Sequence, residues 1–463
     1  MVENESSVSC AGREGYLMPD LTSKRNVELH PAMDFVGSTF FMGASIPYVT
    51  SSGTRSTLPS IVTNWGEILP IEEVGKKNQW NFAEKSVKIE SRWSFDSMEG
   101  FRTNNANVEP EAIFSEIRAK YKQFIEFSED EAYDFYALWI MGTYVYQIFN
   151  SFPYVHLNGL KGTGKSKVLH LTGCLAFNSI FASNMTTSTI FRLIQQGRCT
   201  LLIDETEKLN DKSRAMDYRN ILLNGYKKGA KAYRSEEIKG SFEPKAFETY
   251  SPKQLANING LEDVLADRCI PIIMMRTMKR DIGNLEIDDI NQTWQNTRDN
   301  LYVFAMKNWD QVKQIYESLE NDNGLNNRQW ELWKPILGMA KLVGEETFNK
   351  IKGFAEKKAK ETEMDNAVNS ADYLLIETLS QIVTEDDFYP VKLIRDTMGI
   401  NENAVWITSE WVGAALKRLG YTDKRRHKNG TEYRITPKSV KNLIERYCTG
   451  KDGSQPTLPT QLA

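Results

Sequence analysis

Residues 154–166 read YVHLNGLKGTGKS and have the residue types needed to hold a polyphosphate. Within them, Gly159-Leu160-Lys161-Gly162-Thr163-Gly164-Lys165-Ser166 sets glycines where backbone N–H groups must converge on an anion, followed by a lysine and a hydroxyl. The apolar run YVHLN precedes this loop and SKVLHLTGCLAF follows it, so the loop joins a buried strand to a helix whose N-terminal dipole favours the same anion. Gly159 through Ser166, with Lys167, form the candidate cradle for ATP. Lys165 would reach the β- and γ-phosphates and Ser166 would bind Mg²⁺.

Asp204 and Glu205 end the run CTLLIDE, with Asp204 39 residues after Lys165. A buried strand there would deliver both carboxylates to the sheet edge where ligands bind in open α/β sheets. Asp204 suits a direct or water-mediated Mg²⁺ role, and Glu205 suits polarising an attacking water. Glu207 and Lys208, just beyond, suit a solvated surface. Asn257 closes the run KQLANING, where its amide can bond the γ-phosphate or the water, with Asn259 a nearby competitor. Arg268 stands between a short helix and the run CIPIIMM. Its guanidinium can stabilise charge developing on a phosphoryl group, or can pair with Asp263 or Asp267. Arg328 falls in the first turn of a helix capped by Asn326 or Asn327 and is the candidate for a second phosphate sensor within its own chain. Arg276 is its rival. Trp330, Trp333 and Leu337 would pack inward, and Pro335 is expected to kink or end that helix.

Strands and helices in alternation must position these groups. Residues 152–282 contain five short apolar runs, at 154–158, 179–183, 200–204, 253–258 and 269–274, separated by helix-length segments. That is the pattern of an α/β fold with a five-stranded parallel sheet covered on both faces. Around it the chain divides into a flexible N-terminus (1–16), a small β-rich domain (17–108), the ATPase domain with helical lead-in and lid (109–355), a charged linker (356–370), a compact last domain (371–448) and a disordered tail (449–463).

With 41% hydrophobic and 25% charged residues and a formal net charge of −4, the composition is that of a soluble cytoplasmic protein, and nucleic-acid contact would need local basic patches. The five cysteines form no CxxC pair, and with four histidines they leave no metal-site pattern and no disulfide framework. The start of the chain reads as no secretory signal. FYALWIMGTYVYQIF at 135–149 is short of a bilayer span and reads as a buried helix, so no membrane association is expected.

The order of these pieces resembles the AAA+ ATPases, on their helicase side: glycine loop, acidic DE pair, asparagine sensor, arginine before the last strand and distal arginine. Residues 130–345 resemble the helicase ATPases of phages, plasmids and staphylococcal-cassette-type mobile elements, relatives of the minichromosome-maintenance helicases. The short gap between the lysine loop and the DE pair is similar to viral superfamily 3 helicases. The resemblance implies ATP and Mg²⁺ as cofactors, a homo-oligomeric, hexameric ring, Arg268 facing the neighbouring subunit's nucleotide, and forked or single-stranded DNA as partner. A DNA-bound initiator or loader ATPase that does not unwind is the alternative.

Two basic regions fit such a partner. ILLNGYKKGAKAYRSEEIKGSFEPKAFETY carries Lys227, Lys228, Lys231, Arg234, Lys239 and Lys245, with Tyr226 and Tyr233 interleaved, and from Gly229 it reads as a β-hairpin turning near Lys239-Gly240. In hexameric helicases the hairpin in this place points into the pore. Cations there grip phosphate without regard to sequence, and rings can stack on bases. Near the C-terminus, three amphipathic helices precede TDKRRHKNGTEYRITPKS, two strands around an Asn429-Gly430 turn. Three helices and a basic wing make a winged helix, with Lys424, Arg425, Arg426 and Lys428 as candidate phosphate contacts.

Overall fold

The computed structural model describes residues 7–10, 13–16, 28–84, 87, 92–182, 186–204, 215–238, 241–257, 261–322, 324–369, 371–398, 407–427 and 430–447. Glu205, Glu207, Lys208, Lys239, Asn259, Lys428 and Asn429 lie outside the described residues, as does the tail 449–463. The chain forms two compact units, residues 1–356 and 357–463.

The first unit opens with strands. β1 (Ser7–Cys10) and β2 (Arg13–Tyr16) pair antiparallel, so part of the stretch expected to be loose is a short hairpin. After β3 (Glu28–Leu29) comes a four-stranded antiparallel sheet of β4 (Met33–Val36), β5 (Thr39–Val49), β6 (Arg55–Thr63) and β7 (Ile68–Pro70). α1 (Ile71–Asn78) and β8 (Asn81–Phe82) close this region, β8 pairing with β3. Its small core gathers Leu29, Phe41, Ile61, Ile71 and Val74.

α2 (Phe95–Arg102), α3 (Pro110–Phe124) and α4 (Glu131–Thr143) lead into the central sheet. Every side chain of α4 from Ala132 to Thr143 is buried, as an all-round apolar helix must be, and none of the helices searched is long and apolar enough to cross a membrane.

The sheet uses β9 (Tyr154–Asn158), followed by α5 (Lys165–Leu175), β10 (Ile180–Phe181), α6 (Thr187–Gly197), β11 (Leu201–Ile203) and α7 (Ala215–Asn224). An antiparallel hairpin, β12 (Lys231–Ile238) and β13 (Ser241–Glu248), then precedes β14 (Lys253–Asn257), α8 (Asp263–Ala266) and β15 (Cys269–Ile273). The five strands run parallel in the order β10-β11-β14-β9-β15. β9 and β14 are buried almost throughout, so neither alternates a core face with a solvent face, and their polar residues His156, Lys253, Gln254 and Asn257 are buried with the apolar ones.

α9 (Arg280–Asn284), α10 (Gln292–Ser318), α11 (Asn327–Val343) and α12 (Glu345–Asn369) follow. α11 continues through Pro335, where an end or kink was expected. Proline removes the N–H that would bond the Glu331 carbonyl one turn back; that carbonyl instead accepts a hydrogen bond from Ser151 Oγ at 2.7 Å. The charged stretch expected to be a linker is helical as the second half of α12, since Lys, Glu and Ala are strong helix formers and Lys358 pairs with Glu361 at 2.8 Å.

In the second unit, α13 (Ala371–Ile382), β16 (Asp387–Pro390), α14 (Val391–Thr397) and α15 (Ser409–Arg418) precede β17 (Lys424–His427), β18 (Gly430–Ile435) and α16 (Pro437–Tyr447). The strands form an antiparallel sheet in the order β16-β18-β17, over a core that includes Leu375, Leu379, Ile394, Val412, Leu416 and Ile435. β16 and α16 add a strand and a helix to the three helices and two strands read from the sequence.

Candidate functional site

The glycine loop leaves β9 at Asn158, whose carbonyl accepts from the Met274 N–H at 2.7 Å. A Cβ on Gly159 would lie 2.4 Å from the Met274 carbonyl oxygen, so only glycine lets the chain turn there. Thr163 Oγ1 donates to the Leu160 carbonyl at 2.9 Å and ties the loop across itself. Gly164 takes φ 90° as the N-cap of α5, a conformation that turns the first-turn amides of Lys165, Ser166 and Lys167 toward the loop without a side-chain cap. Lys165 is buried, and its ammonium donates back to the carbonyls of Gly159 at 2.5 Å and Leu160 at 3.0 Å. It therefore lies across the loop's own mouth. Leu160, Lys161 and Gly162 are exposed at the tip. Lys167 points away and donates to the Ile282 carbonyl at 2.6 Å.

Asp204 follows directly on β11, and Ser166 Oγ donates to its Oδ2 at 2.8 Å. Residues 38 apart in the chain thus meet beside Lys165, and a hydroxyl with a carboxylate is an oxygen donor set of the kind Mg²⁺ uses alongside phosphate oxygens. Asn257 ends β14 in register with Asn158, which puts it on the same edge between the loop and Asp204. Its Oδ1 lies 2.9 Å from His156 Nε2. Burial pulls the His156 pKa below its ordinary 6.5, with the Lys165 charge acting the same way, so the neutral ring donates to Asn257 and orients its amide. His156 carried no signal in the sequence; it is one alternate position on a buried strand.

Arg268 sits at the opposite edge. Its carbonyl accepts from the Tyr154 N–H at 3.1 Å, where β9 begins, and its Nε donates to the Leu223 carbonyl at 3.0 Å. Its guanidinium carbon is 5.6 Å from the Tyr226 ring. Arg328 packs on the same ring at 5.3 Å, donates to the Tyr226 hydroxyl, and pairs with Glu331 at 2.6 Å. Glu331 also holds Lys227 at 2.5 Å. Tyr226 is buried, and its carbonyl accepts from the Phe152 N–H, two residues before β9. A five-residue strand separates this cluster from the loop, roughly 16 Å at the usual rise per residue. The expectation that Arg328 senses phosphate in its own chain does not fit that placement: the structure brings Arg328 to Arg268 and not to the loop. The rival Arg276, two residues past Met274, is on the loop's side of the sheet.

The hairpin separates the groups that the sequence interleaves. Arg234 and Lys245 are directly opposite each other across β12 and β13. They lie on the face that packs on α6, with Arg234 5.3 Å from the Phe191 ring and Lys245 5.2 Å from the Phe247 ring. Lys231, Tyr233 and Phe242 fall on the other face, where Tyr233 is 64% and Phe242 75% exposed. Lys227 and Lys228 are not on the hairpin; Lys228 donates to the Gln147 carbonyl at 2.6 Å. In the second unit Lys424 and Arg426 are exposed on alternate positions of β17, while Arg425 pairs with Glu432 at 2.7 Å and lies 4.1 Å from the Phe388 ring.

Two buried basic side chains at the hairpin root had no sequence signal. Arg198 pairs with Asp34 at 3.2 Å and Glu248 at 3.3 Å. Lys253, wholly buried, donates to the carbonyls of Gly225, Thr249 and Ser251 at 3.0–3.2 Å, and burial lowers its pKa from 10.5 to about 7.

No family model matches the chain, and no curated protein matches it. Among solved structures it is similar to the Cch protein of a type IV SCCmec element, described as an active helicase, with a TM-score of 0.39 and 11% identity over 83% of this chain and 80% of that one. It is also similar to a full-length MCM homologue from Methanopyrus kandleri, with a TM-score of 0.35 and 12% identity over 70% and 78%. The C-terminal region of NrS-1 gives 0.32 and 15% over 70% and 75%. These are loose likenesses of overall arrangement.

Proposed function

We propose that the chain is an ATP-dependent, ring-forming DNA helicase or translocase of a mobile element, plasmid or virus. The observation that carries the ATPase part is the 2.8 Å contact between Ser166 and Asp204 beside the folded-back Lys165. A hydroxyl, a carboxylate and an ammonium gathered under a glycine loop on a parallel sheet's ligand-binding edge suit a Mg-nucleotide and little else. Lys165 and the loop amides would hold the phosphates, Ser166 and Asp204 would hold Mg²⁺, and Asn257, aimed by His156, would orient the reacting end. Bound Mg²⁺ supplies neutralisation of charge on the phosphate oxygens.

The ring rests on the opposite edge. Arg268 and Arg328 lie about a strand's length from their own loop, which supports a role for both at a nucleotide held by a neighbouring copy. The DNA part rests on the β12–β13 hairpin, with Lys231 and two exposed rings on one face, and on the second unit, which we read as a winged helix with Lys424 and Arg426 on its wing. The decisive measurement is unwinding of a forked duplex by the full chain, with hydrolysis followed alongside and Lys165→Ala as control. Strand separation that needs ATP and is lost in Lys165→Ala is expected. Hydrolysis without any strand separation would replace this reading with a loader or initiator.

A further inference from the structure

A cavity of about 240 Å³ opens behind α5, away from the glycine loop, and is lined by Arg92, His170, Cys174, Ser179, Asp289 and Arg298. His170 and Cys174 are four residues apart on α5, so they share one face of the helix. Asp289 comes from the turn before α10. That turn is fixed: the Ile290 N–H donates to Asp288 Oδ1 at 3.1 Å, Trp294 Nε1 donates to the Asp288 carbonyl at 2.7 Å, and the Asn291 side chain caps α10. One ligand atom from each of His170, Cys174 and Asp289 lies within 4.8 Å of the others. His170 Nε2 contacts Asp289 Oδ1, and Cys174 Sγ is 3.5 Å from the same oxygen.

Apart from Arg298 Nε, which is buried without a partner, the donors that the two guanidiniums use here go to protein acceptors, which argues against an anion. Arg92 donates to the carbonyls of Cys174 and Ala176 and to Ser179 Oγ; Arg298 donates to the Cys174 carbonyl and to Gln295 Oε1. What converges, from one face of α5 and from the turn before α10, is one nitrogen, one sulfur and one oxygen. That mixed set matches a tetrahedral Zn²⁺ site with its fourth position open to water; with ligands at about 2.0–2.3 Å from the metal their atoms stand roughly 3.3–3.7 Å apart, so the Cys174–Asp289 spacing of 3.5 Å already fits, and the His170 and Asp289 atoms, now in contact, part to admit the ion.

We propose that His170, Cys174 and Asp289 bind one Zn²⁺, which clamps the turn ahead of α10 to the helix that begins with Lys165 and Ser166. His170 and Asp289 are partly exposed, at 38% and 66% of their side chains, so the ion can enter from solvent. Binding displaces the Cys174 thiol proton to water, and the apparent affinity therefore rises with pH. The sequence shows only the His-Cys pair on one helix; Asp289 is 115 residues beyond Cys174 and joins it only through the fold.

The test uses the full chain stripped with chelator and titrated first with Co²⁺ as a spectroscopic stand-in and then with Zn²⁺. One Co²⁺ per chain with a thiolate charge-transfer absorption, displaced by one equivalent of Zn²⁺, is expected. Cys174→Ser should abolish that absorption although Cys10, Cys199, Cys269 and Cys448 remain. His170→Gln and Asp289→Asn, both at partly exposed positions, should weaken binding at least about tenfold, and zinc should raise the melting temperature of the wild type and not of these two variants. No charge-transfer absorption, or one that survives in Cys174→Ser or is unaltered in the other two, overturns the proposal.

Discussion

The two edges of the central sheet both gather cations and polar groups, but they are built in different ways. Where β9 ends, one contiguous loop provides the lysine and the hydroxyl, and neighbouring parallel strands deliver Asp204 and Asn257 beside it. Where β9 begins, Arg268, Arg328 and Tyr226 arrive from three separate segments and meet around one buried ring. On the proposed reading the first edge holds the nucleotide in its own chain. The second has guanidiniums but no cradle, and a strand's length separates it from the first. On the proposed reading, each subunit therefore presents half a site at each edge, and only a second copy joins the halves.

The largest effect should come from breaking the cradle-less edge. Arg268→Ala is expected to lower hydrolysis by the assembled ring about 10³- to 10⁵-fold, the range for arginine fingers, while leaving nucleotide binding by the single chain unchanged. Lys165→Ala should be inactive for the other reason, loss of the loop's own charge. Mixing the two inactive variants then decides the matter. Mixed rings contain junctions that pair an intact loop with an intact Arg268, so phosphate release should partly return. If Arg268→Ala hydrolyses normally as a ring, or if mixing restores nothing, the two edges do not form one site.

A smaller loss is expected for Arg328→Ala, roughly 10- to 100-fold in hydrolysis by the ring, the worth of a hydrogen bond to a charged group. The comparison predicts where the loss appears. Nucleotide affinity of the unassembled chain, measured by titration with a fluorescent ATP analogue, should be unaffected. A weakened affinity there would mean that Arg328 does reach its own loop and would restore the within-chain sensor that the sequence suggested.

The same contrast explains what could be read before the structure. The loop, the five strand positions and the hairpin were legible because each is a local pattern: glycine spacing, short apolar runs, and a basic run folding back about Lys239-Gly240. Arg268 was legible only as a position before a strand. The role of Arg328 was not, because helix pattern places it in a first turn without saying which end of the sheet that turn meets; Tyr226, 102 residues away, decides that. His156, Arg198 and Lys253 were invisible for a related reason. Each sits on or beside a buried strand, where a polar residue makes sense only with its partner, Asn257, Asp34 or the Gly225 carbonyl, in view. Pro335 misled because the acceptor it frees is used by Ser151 from another element.

Lys253 offers the finest test, since it belongs to the far edge and titrates in an accessible range. It opens β14 beneath Tyr154, with its ammonium 4.8 Å from that ring, and binds the carbonyls of Gly225 and Thr249 that bracket the hairpin. Burial holds its folded pKa at about 7, below the ordinary 10.5 that the unfolded chain regains. Between those values the unfolded state binds the extra proton, so stability rises with pH across that window and is flat, with respect to this group, below about 7. In Lys253→Met no such proton exists. The difference in melting temperature between wild type and Lys253→Met should therefore shift in favour of the wild type as pH goes from 7 to 9.5, measured by scanning calorimetry at constant ionic strength. Parallel curves would mean that the three carbonyls keep Lys253 charged in spite of its burial. In that case the far edge carries one more fixed cation than the comparison assigns to it.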